Sequence, residues 1–211
     1  VAAMCNAFGA LPTRGFSVGQ FDSIDKIDGD NLRSILINRA GDASTAHACM
    51  PGCIIQCSNV FADQSGKTIV APLEYETIGL MGANLGIDDL DVIARLNWLA
   101  NDLGLDVIDL GAAIGVTARA GLIDFGNEKQ VIQLMEEISR ATPLGQILGN
   151  GAAATGEYLG VEYIPVVKRQ AISAYDPRAI KGTGITYASS PQGADHTAGL
   201  TLRAKVDHLD P

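Results

Sequence analysis

The sequence predicts a mainly α-helical fold, a multi-helical bundle-like domain with glycine-rich functional loops and a short hairpin. Three observations carry that expectation. GIDDLDVIARLNWLANDLGLD has the spacing of one long amphipathic helix; the chain from Leu105 to Tyr158 continues in helical spacing with many Gly and Ala residues; and Gly, Pro, Ser and Asp concentrate toward both ends.

Taken in order, residues 1 to 28 are rich in Gly, Pro and Phe with little periodicity and read as irregular structure. Asp30 to Ala40 places Leu32, Ile35, Leu36 and Arg39 at helical spacing. QSGKTIVAPLEYETIG, Gln64 to Gly79, opens on a turn signal and carries a β-branched run, so a strand or hairpin arm is expected, kept to a sheet edge by Pro72. The long helix has Asp88 as its cap, acids in its first turn and a face of Leu90, Ile93, Leu96, Asn97, Ala100 and Leu103, and Gly104 stops it. Further helices are expected over 105–120, 127–142 and, more loosely, 143–158. From Ile172 onward AYDPR, KGTGITYASS and PQGADHTAG read as loops.

The chain has 211 residues, 47% of them hydrophobic, which is ample material for a buried core. Its net charge is −9 and its basic residues are scattered, which argues against a nucleic-acid partner. KRQ, Lys168 to Gln170, is the densest basic spot and reads as solvated surface. No run reaches the roughly 18 apolar residues of a membrane span. No basic-then-apolar leader opens the chain, so the cytoplasm is expected, where clustered thiols bind metal more often than they pair. The chain starts at Val1 and ends on DHLDP, which reads as a piece of something longer.

HACMPGCIIQCSN sets Cys49, Cys53 and Cys57 on a four-residue step, in a chain with four cysteines. On a helix the sulfurs would share one face, but Pro51 and Gly52 favour a loop or a first turn, and in either case the thiols converge. Zinc would need His47 as its fourth ligand, which its closeness to Cys49 disfavours. An iron–sulfur cluster takes three close cysteines and a remote fourth. Three buried structural thiols are the bland alternative, and Cys5 is too weakly placed to be the fourth ligand.

FGALPTRGF at Phe8 to Phe16, the cysteine motif, EYET at Glu74 to Thr77, NDLGLD at Asn101 to Asp106, AYDPR at Ala174 to Arg178 and YASSPQGADH at Tyr187 to His196 follow in one order over nearly the whole chain. In this the sequence resembles the tungsten-containing aldehyde:ferredoxin oxidoreductases, a family of bis-pterin enzymes. The resemblance implies a second domain over residues 1–170 and the start of a third over 171–211, without the N-terminal domain that covers the pterins. It implies that Cys49, Cys53 and Cys57 ligate a 4Fe-4S cluster whose fourth cysteine comes from a later domain. A further D-x-x-G-L-C block is expected beyond Pro211. The chain departs from the family's common pattern in spacing Cys49 and Cys53 by three residues where two are usual.

The resemblance also assigns roles. Asn101, Gly104, Leu105 and Asp106 match the block that holds one pterin, where side-chain oxygens accept from a row of ring and amino donors. Glu76 matches a glutamate near the metal and is the candidate base, with Tyr75 beside it as a candidate donor. Alone, Glu76 would read as a solvent-facing strand residue. His196 matches the active-site histidine, able to polarise a carbonyl, and Tyr175 a tyrosine of the same pocket. Where family sequences commonly place Arg, this chain has Gln192. Arg95 and Trp98 stand where some members carry an E-x-x-H iron site at a dimer interface, so that route to a homo-oligomer is unsupported, and association by another face stays open.

The expected cofactors are therefore a tungsten (or molybdenum) bis-pterin and a 4Fe-4S cluster. The expected partners are a small aldehyde and ferredoxin or an electron-transfer subunit. A reductase of aromatic acyl thioesters on the same scaffold, or a non-catalytic iron–sulfur or zinc module, are the alternatives.

Overall fold

The computed structural model describes residues 1–202, and these are mainly helical. A short helix α1 (Ala2–Phe8) leads through α2 (Ile24–Ile27) to α3 (Gly29–Arg39). Strands β1 (Ser44–His47), β2 (Ser58–Ala62) and β3 (Thr68–Val70) form an antiparallel sheet in the order β1-β2-β3. Helix α4 starts at Tyr75–Thr77, widens to i→i+5 bonding over Ile78–Gly82 and tightens over Ala83–Leu85. Then come α5 (Leu90–Asp102), α6 (Val107–Arg119), α7 (Glu128–Ser139), α8 (Pro143–Gly149) and α9 (Gly151–Leu159). The hairpin β4 (Val166–Val167) and β5 (Gln170–Ala171) precedes α10 (Lys181–Ser189). No helix among the described residues is long and apolar enough to cross a membrane.

The expected helices over 30–40, 105–120 and 127–142 all form, each within a few residues of its limits, with Asp28, Asp106 and Asn127 as caps. The long helix forms as read, except that Asp89, and not Asp88, caps it by accepting from Asp91 and Val92 N–H; Asp88 instead pairs with Lys26 at 2.6 Å. Gly104 stops it with a φ of 69°, a left-handed value open to glycine. The segment 143–158 is two helices, because Gly151 turns left-handed at φ 87° between α8 and α9.

Other expectations need correction. Residues 2–8 and 24–27 are helical where irregular structure was expected. The arm expected over 64–79 ends at Val70; after Pro72 the chain enters α4, whose core-facing Thr77 to Leu85 are all buried. KGTGITYAS forms α10 because Thr183 and Tyr187 pack inward while Gly182 lies close against Thr201 and Gly184 against Pro177. The cysteine segment, by contrast, is a loop as expected, the one that joins β1 to β2.

α6 lies at the centre, buried from Leu110 through Ala118. A helix apolar on every side belongs inside a bundle, and its small residues let neighbours close on it: a Cβ at Gly111 would meet Leu80 Cβ at 2.9 Å, and one at Gly115 the Asn84 amide nitrogen at 2.7 Å. Asn84 Nδ2 in turn donates to Gly111 O at 3.0 Å, which ties α4 to α6. The N-terminal segment and the segment before α10 hold each other, since Asp176 N–H donates to Ala10 O at 2.9 Å and Arg178 to Phe16 O at 2.6 Å. Asp176 is buried beneath the Arg178 guanidinium, which compensates its charge.

One close approach positions the site. A Cβ on Gly79 would fall 2.5 Å from Ala174 Cβ, so glycine alone lets α4 lie against the 172–176 segment. Gly79→Ala is expected to destabilise the chain by about 1–3 kcal/mol through overpacking, read as a lower urea midpoint at unchanged m-value.

Candidate functional site

The first turn of α4 carries Tyr75 and Glu76, and both fasten onto one residue of the facing segment. Ala174 N–H donates to Glu76 Oε2 at 2.7 Å, while the Tyr75 hydroxyl donates to Ala174 O. Tyr75, read from the sequence as a candidate donor, here clamps α4 to the facing backbone through its hydroxyl. Its hydroxyl also meets the buried Cys5 thiol, which burial pushes up in pKa. The Tyr175 ring stacks between Tyr75, at 4.9 Å between centroids, and His196, at 5.4 Å. Behind them the Tyr187 hydroxyl and Ser173 Oγ are 2.6 Å apart.

The second Glu76 oxygen, Oε1, is buried and has no hydrogen-bond partner among the described residues, with His196 Nε2 at 3.6 Å. That distance is too long for a hydrogen bond, and sites of this kind often tighten only around a ligand. Burial raises the Glu76 carboxyl from 4.5 to about 7, and burial also lowers His196 below its usual range. The contact at neutral pH is therefore one between groups driven toward their neutral forms, not a standing ion pair. Asp195 does not orient His196, because its carboxylate accepts from Thr197 N–H and Oγ1 instead.

Asn101, Gly104, Leu105 and Asp106 lie at the α5–α6 junction beside this cluster. A cavity of about 220 Å³ is lined by Glu76, Asn97, Asn101, Leu105 and Asp106. A second, of about 400 Å³, is lined by Asp106, Asp109, Gln170 and the Ala194–Thr197 turn, and a third, of about 300 Å³, by Gly104 to Asp106, Asp109 and Leu148 to Gly151. Asp106 borders all three. Its Oδ2 caps α6 by accepting from Asp109 N–H at 2.8 Å, and no hydrogen bond among the described residues engages its Oδ1. Asp106 is thus an exposed helix N-cap on the border of all three cavities. Asn101 and Asp106 could hold a ligand whose rim consists of N–H donors.

Cys49, Cys53 and Cys57 are free thiols, the first and last exposed, on the β1–β2 loop. Cys53 is drawn toward its thiolate mainly by the Gln56 and Ile55 N–H groups that point at its sulfur, and Cys49 adds a further contact. The left-handed φ of 46° at Gln56 belongs to that turn. The loop presents Ile54 and Ile55, 95% and 77% exposed. Among the described residues no three His, Cys, Asp or Glu side chains form a ready-made metal shell, His47 included. β2 ties the cysteine loop to the segment that leads into α4: Asn59 Nδ2 donates to Leu73 O at 2.7 Å and its Oδ1 accepts from Leu73 N–H at 3.2 Å, one residue before Glu74.

The site residues read from the sequence thus gather in two places. Glu76, Tyr75, Tyr175 and His196 cluster together, Glu76 and His196 each on a cavity that Asp106 also borders, and the cysteines stand on the β1–β2 loop. Sequence reasoning missed Asp109, Gln170 and the Ala174 backbone. Asp109 carried a signal, since it falls three residues after Asp106 on the same helix face; its Oδ1 accepts from Ala152 N–H at 2.9 Å. Arg95 and Trp98 lie exposed on α5, and Gln192 is exposed as well.

A family model described as aldehyde ferredoxin oxidoreductase, domains 2 and 3, matches residues 1–210. A tungsten-containing aldehyde ferredoxin oxidoreductase of Pyrococcus abyssi is 32% identical over 95% of this chain and 35% of its own length. One of Thermococcus kodakarensis is 31% identical over 95% of this chain and 34% of its own. A Pyrococcus furiosus protein named aliphatic sulfonate oxidoreductase, WOR-like subunit, is 31% identical over 73% of this chain and 28% of its own. The chain spans about a third of the length of the curated relatives it matches.

Proposed function

The chain belongs to the aldehyde ferredoxin oxidoreductase family, a family of oxidoreductases, and from that premise we propose that it is part of a tungsten (or molybdenum) bis-pterin enzyme that oxidises aldehydes to carboxylic acids. The observation that carries this reading is the meeting of Glu76, His196 and Tyr175 beside the two cavities that Asp106 borders. In this proposal residues 1–170 are the second domain of the enzyme and 171–211 the start of its third.

The residues present fit the cofactors. The Asp106 oxygen that no hydrogen bond among the described residues engages, and the Asn101 side-chain oxygen, are acceptors on the border of these cavities, suited to a donor-rich pterin edge. Asn101, Leu105 and Asp106 would hold that edge. A thiol with N–H groups directed at its sulfur suits a cluster ligand, and Cys49, Cys53 and Cys57 would be three of its four. When bound, the metal–pterin group would supply two-electron chemistry and the cluster one-electron transfer toward ferredoxin or a partner subunit.

The chain's own residues handle protons and orientation. Glu76, held through Oε2 by the Ala174 amide, keeps Oε1 free to take a proton from the water that adds to the aldehyde carbon. His196, neutral through burial, donates from its ring toward the carbonyl oxygen without adding a fixed charge. Tyr75 and Tyr175 back Glu76 and His196 with aromatic surface that would limit water behind them.

The test is aldehyde-dependent reduction of a viologen dye by the full-length protein purified without oxygen. Reduction with aliphatic or aromatic aldehydes is expected. Reduction with aliphatic sulfonates, or oxidation of the reduced dye by acyl thioesters, in each case without any aldehyde activity, would overturn the substrate assignment.

A further inference from the structure

Lys168 and Arg169 form the two-residue turn of the β4–β5 hairpin, at φ 52° and 70°. Such a turn favours Asn and Gly, and longer side chains hold left-handed values only where surroundings enforce them. The surroundings do so here. Lys168 Nζ donates to Ser190 O at 2.5 Å, Arg169 pairs with Glu157, and Gly193 lies so near Val167 O that a Cβ would sit 2.2 Å from it. The hairpin is thereby locked to the loop that delivers His196, and the next residue, Gln170, is fixed at the wall of the 400 Å³ cavity opposite that loop.

Gln170 Oε1 is shut off from solvent and has no hydrogen-bond partner among the described residues. A buried acceptor left without a donor calls for a ligand or a water. Gln170 lines the 400 Å³ cavity, and its amide oxygen and nitrogen exchange places by half a turn about the last side-chain bond, so the carboxamide can offer its acceptor end to a ligand there. Its neighbours there are acceptors as well. Asp106 and Asp109 each spend one oxygen on a backbone N–H, leaving their second oxygens over. His196, on the same cavity, serves the aldehyde carbonyl; the acceptors Asp106, Asp109 and Gln170 have no use for an aldehyde and match a fused heteroaromatic ring with amino and ring N–H groups.

We propose that Gln170 is a pterin-binding residue, its carboxamide accepting a hydrogen bond from the donor edge of the cofactor on the side of the cleft bordered by Asp106. The inference rests on the bis-pterin reading above. It is tested on the full-length protein by the pterin content per chain, measured as fluorescence after oxidative release. Gln170→Met, which keeps the bulk and removes the acceptor, is expected to lower pterin content or speed its loss on dialysis by roughly fivefold or more. Gln170→Glu, which keeps an acceptor, is expected to stay near wild type. Undiminished pterin in a folded Gln170→Met protein overturns the role, and Gln170→Ala answers the same question if the Met variant does not fold. A wild-type protein without pterin overturns the functional reading itself.

Discussion

Glu76→Gln is expected to lower the rate of aldehyde oxidation by about 10²–10⁴-fold while leaving the fold intact. Gln keeps an oxygen for the Ala174 amide, so the clamp between α4 and the 172–176 segment survives. What it removes is the proton-accepting oxygen beside His196. In the wild type, activity limited by this group rises with pH through about 7, because the carboxyl must ionise before it can act as a base.

The same burial has a stability consequence with a definite sign. A carboxyl at about 7 in the fold and near 4.5 when unfolded holds more protons folded, so the cofactor-free chain loses stability as pH rises between those values. Gln, always neutral, escapes the loss. The variant is expected to melt higher than wild type at pH 8 and no higher at pH 4, with an upper difference on the order of 3 kcal/mol. Equal melting of both proteins at pH 8 would contradict the burial of an ionised Glu76.

Cys53→Ser is expected to remove most of the iron from the full-length protein, from about four atoms per chain toward none. A hydroxyl does not ionise as a thiol does, and the Ile55 and Gln56 N–H groups that favour the thiolate have no equivalent anion to stabilise. The substitution lies on an exposed loop and breaks no core contact, so helix content should not change. Met50→Ser on the same loop is the control and should retain iron. Full iron in Cys53→Ser, measured by metal analysis of anaerobically purified protein, would remove Cys53 from the ligand set.

The helices that were legible owe it to clean local signals: α5 has an apolar face, an acidic first turn and Gly104 at its end, and α7 has Asn127 as a cap. α10 was not legible because Gly182, Gly184, Thr183 and Thr186 are weak helix formers. Its helix exists through the packing of Tyr187 and Thr183, which no local pattern announces. Glu76 was placed on a strand arm because Tyr75, Thr77 and Ile78 favour strands locally, and burial of α4 against α6 overrides that preference. The meeting of Glu76 with His196 joins residues far apart in the chain, so no spacing could show it, and only the resemblance brought the two together. Gln170 was misread with its basic neighbours: Lys168 and Arg169, in the turn, do face solvent, but Gln170 opens β5 and is half-buried with its side-chain oxygen shut off from solvent.

The most direct test of the account is the content of tungsten, molybdenum, iron, zinc and pterin per chain in full-length protein expressed and purified without oxygen. The account predicts about one tungsten or molybdenum, two pterins and four irons per chain. Zinc without pterin would contradict it and leave Cys49, Cys53 and Cys57 as the ligands of a structural metal.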